Sequence, residues 1–159
     1  AVLGANDGIV STAAVVVGVA GATSDATTIA MSGLAAVIGG AVSMALGEYV
    51  SVSSQRDSER AMGLAEEMQV NPWSAAIASF LSFLLGAALP FATALLAPAS
   101  WRIVAIFVLT LVALALTGAL SAKLGEAPVA RSVARIVVGG TIALAVTFAI
   151  GSLFGANVG

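Results

Sequence analysis

Five stretches of this chain contain no Asp, Glu, Lys or Arg: residues 8–24, 26–47, 68–101, 103–122 and 136–159. They run for 17, 22, 34, 20 and 24 residues. A helix needs about 20 apolar residues to cross a hydrocarbon core of about 30 Å. In lipid every backbone N–H and C=O must find an internal partner, so a span is a helix or part of a closed barrel. Barrel strands alternate apolar and polar residues at period two, and no such alternation occurs here. The longest run holds a single span, because Asn71-Pro72-Trp73 reads as an interfacial helix start and Ala97-Pro98-Ala99-Ser100 as a loop. The expected fold is therefore an all-α integral membrane protein of five transmembrane helices, at about 2–22, 28–52, 72–96, 102–122 and 132–155.

Composition narrows the chemistry. Hydrophobic residues make up 60% of the chain and charged ones 9%, against roughly 25% charged in a soluble domain. The absence of Cys and His excludes disulfides, the usual haem and zinc sites, and Ser-His or Cys-His catalysis. A net charge of -2 without a basic stripe argues against nucleic acid as a partner. No nucleophile and base fall together, so an enzyme is not expected. What remains for function is carboxylate, hydroxyl and thioether chemistry within a lipid bilayer.

Orientation follows from the loops. Arg56, Arg60, Lys123, Arg131 and Arg135 fall on one side of the bundle, and Arg102 is the single basic residue on the other. The positive-inside rule then puts the 53–71 and 123–131 loops, and the amino end, on the cytoplasmic side.

Small residues recur at spacings of three and four in helix one (Gly4, Gly8, Ser11, Gly18, Gly21) and helix two (Gly33, Ala36, Gly39, Gly40, Ser43, Gly47). Such residues let helix backbones approach where lipid offers no hydrophobic drive for association. They fit either close packing inside one bundle or a homodimer seam along helix one or two.

Two carboxylates stand where lipid is expected. Asp7 lies near the start of helix one and Glu48 near the end of helix two, so antiparallel helices put them at similar depth. A charge at such a position costs about 3 kcal/mol or more unless it is paired, protonated or wetted. Met44 stands at i, i+4 to Glu48, and Ser11 likewise to Asp7. Oxygen ligands suit hard divalent cations, and a thioether shifts preference toward first-row transition metals. The plainer alternative has Asp7 capping a helix start, Glu48 reaching the headgroups and Met44 merely packing. The polar segment 53–71 reads as a solvated helical extension with charge pairs such as Arg56 with Glu59. Glu66 and Glu67, beside Met68, are further candidates for collecting metal at the cytoplasmic mouth. Trp73 and Trp101 read as belt residues, and Arg131 and Arg135 as headgroup anchors.

Two strings resemble the signatures of the vacuolar iron transporter family. Asn6-Asp7-Gly8-Ile9-Val10-Ser11-Thr12 is similar to its first helix. Ser43-Met44-Ala45-Leu46-Gly47-Glu48-Tyr49, continuing to Asp57, is similar to its second, and Asn71-Pro72-Trp73 with residues 86–90 resembles its third. The resemblance implies a five-helix homodimer that moves ferrous iron, and often manganese, out of the cytosol in exchange for protons. It places Asp7 and Met44 on the metal pathway with Glu48 beside them. Two copies across a two-fold axis would supply four carboxylates and two thioethers. Family members typically carry a Glu-rich cytoplasmic metal-binding domain between helices two and three, for which residues 53–71 are too few.

The expected function is thus a proton-coupled exporter of Fe(II) or Mn(II), without a tightly bound cofactor. Its partners would be the metal ions, the lipid bilayer and a second copy of the chain. The membrane would be the inner membrane of a bacterium or the vacuolar membrane of a eukaryote. The alternatives are a non-transporting structural subunit, whose carboxylates serve packing, and a proton-translocating ring subunit, which five helices fit poorly.

Overall fold

The computed structural model describes residues 2–65 and 69–158. They form five helices: α1 (Val2–Ala22), α2 (Ala26–Ala61), α3 (Pro72–Leu96), α4 (Arg102–Leu124) and α5 (Val129–Val158). No strand occurs among the described residues. All five are long and apolar enough to cross a membrane, and at 1.5 Å per residue the shortest, α1, spans about 31 Å. The outward faces carry Leu, Val and Ile side chains, among them Val50, Leu85 and Leu116. A monomer in water rarely leaves so much apolar surface open; a lipid solvent accounts for it.

Local chemistry fixes the ends. Asp25 caps α2, its Oδ2 accepting from the Thr28 amide and the Thr28 hydroxyl, both at 2.6 Å. The Thr28 hydroxyl first, and then its amide, hold the Asp25 carboxyl below the usual carboxylate range. Asn71 caps α3 in the same way, accepting from Trp73 N at 3.0 Å and Ser74 N at 3.2 Å, with Pro72 in the first turn. Gly63, at a φ of 77°, supplies the left-handed turn that stops α2, and Leu64 N donates back to Glu59 O.

α2 does not end near residue 52. It continues to Ala61, a length of 36 residues, or about 54 Å, so the helical extension expected of the polar segment forms as far as Ala61, with no Pro or Gly before Gly63. The chain after it folds back on this extension. Arg56 Nε and Arg60 Nε both donate to Gln69 Oε1, at 3.3 and 3.1 Å, and Val70 N donates to Glu59 Oε2 at 3.1 Å. Arg56 therefore reaches Gln69, and Glu59 accepts from Val70 and from Gln55.

α1 is the central helix and packs against each of the other four. Ala13, Val16 and Val17 on α1 meet Ile29, Ala94, Ile106 and Leu144 in the main core. α1 and α3 approach closely. A Cβ at Gly8 would fall on the Phe83 carbonyl oxygen, and one at Gly86 on the Ala5 carbonyl oxygen. Only glycine lets the two backbones touch there, and the contact area gained this way holds helices together in lipid.

Candidate metal site at one end of the bundle

The site is built by α1 and α2 where they run side by side. Asp7 sits in the second turn of α1, and Met44 and Glu48 lie one turn apart on α2. All three line one open cavity of about 340 Å³, together with Leu3, Ser11, Ser43, Gly47 and Phe83. The three residues that sequence reasoning selected are thus brought together. Glu66 and Glu67, the other two candidates, lie outside the described residues.

The supporting residues explain the shape. Phe83 is buried and packs with Ala41 and Ala87, and Met44 leans on that cluster while also facing the cavity. Gly40 leaves room for the Phe83 ring, since a Cβ there would collide with it. The Ser11 hydroxyl donates to the Asp7 backbone carbonyl, so toward the cavity Ser11 presents oxygen lone pairs. Behind Asp7, the Thr117 hydroxyl of α4 donates to Asn6 Oδ1, tying this end of α1 to α4. Tyr49, next to Glu48, packs on Trp73 with ring centroids 4.9 Å apart, which fixes the end of α2 against the start of α3. Sequence reading did not find Phe83 or Thr117. Each matters through a helix crossing that no local pattern encodes.

Chemically the cavity offers two carboxylates, a thioether and two hydroxyls, on walls that are otherwise apolar. Hard divalent cations ask for about six oxygen-type ligands, and a thioether adds a preference for later metals. Among the described residues, no three acidic side chains converge on one point. Asp7 is exposed on the cavity side of α1, and Ser43 and Gly47 of α2 line the same open cavity. One face of α2, with Ala35, Gly39, Ser43 and Gly47 at intervals of four, is exposed along the same side. A Cβ at Gly39 or Gly47 would meet nothing within 4 Å.

Comparison with known proteins follows the same line. The chain matches the VIT family over residues 1–70 and 60–152. It is 44% identical over 162 residues to vacuolar iron transporter homolog 2 of Arabidopsis thaliana, covering 98% of this chain and 83% of that protein. To homolog 1 of the same plant it is 45% identical, covering 99% of the chain and 82% of the relative. To vacuolar iron transporter homolog 5 of Oryza sativa subsp. japonica it is 43% identical, covering 99% and 80%. Alignments of 162 to 166 residues over nearly all of a 159-residue chain leave no room for an inserted domain between α2 and α3 in these relatives.

Proposed function

The chain belongs to the VIT family, and from that premise we propose that it carries ferrous iron or manganese across a membrane in exchange for protons. The observation that carries this reading is the convergence of Asp7, Glu48 and Met44 on one cavity at the α1–α2 face. Carboxylates that bind a divalent ion release it when protonated, so Asp7 and Glu48 serve as both ligands and proton carriers. Met44 supplies a softer donor that favours Fe(II) over Mg(II) or Ca(II).

The working unit is a homodimer. One protomer brings two carboxylates and one thioether to an open cavity, too few to strip a divalent ion of its water. A two-fold axis along the exposed small-residue face of α2 doubles that set and closes the cavity against lipid. The open space at Gly39 and Gly47 supports this packing. With the Arg-rich loops in the cytosol, metal enters at the Asp7 end from the cytosol and leaves on the far side after the helices rearrange.

The decisive experiment is metal uptake by proteoliposomes under a pH gradient. Wild type is expected to accumulate Fe(II) or Mn(II) only with the gradient present, and D7A and E48A are each expected to fall to background. Wild-type rates in either variant would sink the mechanism.

A further inference from the structure

At the end of the bundle opposite the Asp7 cavity, the α1–α2 hairpin meets the α3–α4 connection around a second, much smaller cavity. It measures about 70 Å³ and is lined by Thr23, Ser24 and Arg102 among apolar neighbours such as Ile29 and Ala99. Arg102 is the one basic residue at this end. Its Nε is shut off from solvent and has no hydrogen-bond partner among the described residues. The acid of the adjoining α1–α2 hairpin, Asp25, directs its Oδ2 to Thr28. The first turn of α4 holds no acidic residue, and Trp101 makes no side-chain cap, so its amides also lack a side-chain acceptor.

The polar groups lining this space can all donate, and Arg102 Nε is buried without an acceptor among the described residues. Thr23 Oγ1 already accepts from Asp25 N at 3.1 Å, which leaves its O–H to donate elsewhere, and Ser24 is exposed with its hydroxyl unconstrained. A guanidinium N–H buried without an acceptor is among the costlier omissions a fold can carry. A water would accept that bond yet leave the charge uncompensated beside apolar walls. An oxyanion answers both needs, since guanidinium and hydroxyl donors match its oxygens.

We propose that Arg102, Ser24 and Thr23 form a seat for a phosphate-type oxyanion that ties the α1–α2 hairpin to the α3–α4 connection. At about 70 Å³ the cavity has room for a phosphate group. Lipid headgroups and free phosphate share that chemistry, and the exposed Trp101 at the adjoining interface sets the seat at headgroup level.

The test is thermal melting of the purified full chain in detergent. One arm adds sodium phosphate against sodium chloride at matched ionic strength, and the other adds dioleoyl phosphatidic acid against dioleoylglycerol. A ligand that binds only the folded state raises the melting temperature with concentration. A saturable rise with phosphate assigns the seat to a free anion, and a rise with phosphatidic acid alone assigns it to a headgroup. R102Q is expected to abolish the response. R102K, which keeps the charge without the directed Nε–H, is expected to raise the half-saturating concentration about tenfold. S24A is expected to raise it several-fold, with melting in the absence of ligand unchanged. Equal melting of wild type in all four additions overturns the proposal, as does an R102K protein with wild-type half-saturation.

Discussion

α1 and α2 share ingredients, a run of small residues and one carboxylate within each apolar span, yet the fold uses them differently. In the apolar window of α1, 39% of residues are buried, against 17% in α2. The small residues of α1 are taken up within the protomer: Gly8 lies against the α3 backbone, and Gly18 lies where a Cβ at Gly151 of α5 would fall on its carbonyl. Two of those in α2, Gly39 and Gly47, touch nothing. Identical residue types therefore carry different information depending on what faces them. In α1 they are consumed by folding; in α2 Gly33 and Gly40 are too, against Phe91 and the Phe83 ring, while Gly39 and Gly47 stay open on the exposed face.

The sharpest way to break this contrast is a single methyl group on α1. G8A puts a Cβ onto the Phe83 carbonyl and within 2.9 Å of Ala87 N. The backbones must separate, at a cost of about 3 kcal/mol or more. The expected outcome is a large drop in melting temperature or loss of folded protein, read by circular dichroism in detergent. If G8A melts like wild type, the α1–α3 crossing is not as close as described.

G47L asks the converse question of α2. A Cβ at Gly47 meets nothing within 4 Å and the position is exposed, so its melting is expected to stay near that of wild type. If α2 carries the proposed dimer seam, the loss should appear in light scattering, as a dimer converted to monomer, and in reduced uptake by proteoliposomes. An unchanged dimer would remove α2 from the seam and leave the metal site without its second half.

Smaller effects probe the ties around the site. T117V deletes the hydroxyl that donates to Asn6 and is expected to cost about 1 kcal/mol, with T117S retaining the bond. A functional consequence should accompany it, as a raised apparent KM for metal, because Asp7 is the next residue along α1. The smallest effect belongs to the Asp25 cap. Its carboxyl titrates below the usual carboxylate range, so the stabilisation is complete above the ordinary Asp pKa and fades as pH falls through the lowered value. D25A is expected to reduce the melting temperature slightly near neutral pH and to converge with wild type in strong acid. A constant gap down to low pH would mean the cap works through something other than its charge.

Much of this was legible from the chain itself. Charge-free runs of about the length needed to cross a bilayer allow few structures other than spanning helices, so residues 26–47 and 103–122 declared themselves without any tertiary knowledge. Asp7 and Glu48 stood out for the same reason, since lipid makes an isolated carboxylate expensive wherever it occurs. Their common depth followed from antiparallel neighbours joined by a three-residue hairpin, which the structure shows at residues 23–25. The extension of α2 to Ala61 was harder to bound, because a polar segment outside lipid loses the apolar signal that marks a helix end. Its stop at Gly63 depends on a backbone angle, and its fold-back depends on Gln69 meeting two arginines from a distance in sequence.

The sequence by itself determined the solvent, the element type and the two carboxylates, because hydrocarbon penalises every unpaired polar group and those penalties are local. Which small residues are spent and which stay open was decided only by the tertiary structure. The same holds for Phe83 beneath the cavity and Thr117 behind Asp7. Helix crossings set these contacts, and a crossing is a property of two surfaces meeting. Gly8 and Gly47 look alike in the chain, and only the presence of α3 against one and open space against the other tells them apart.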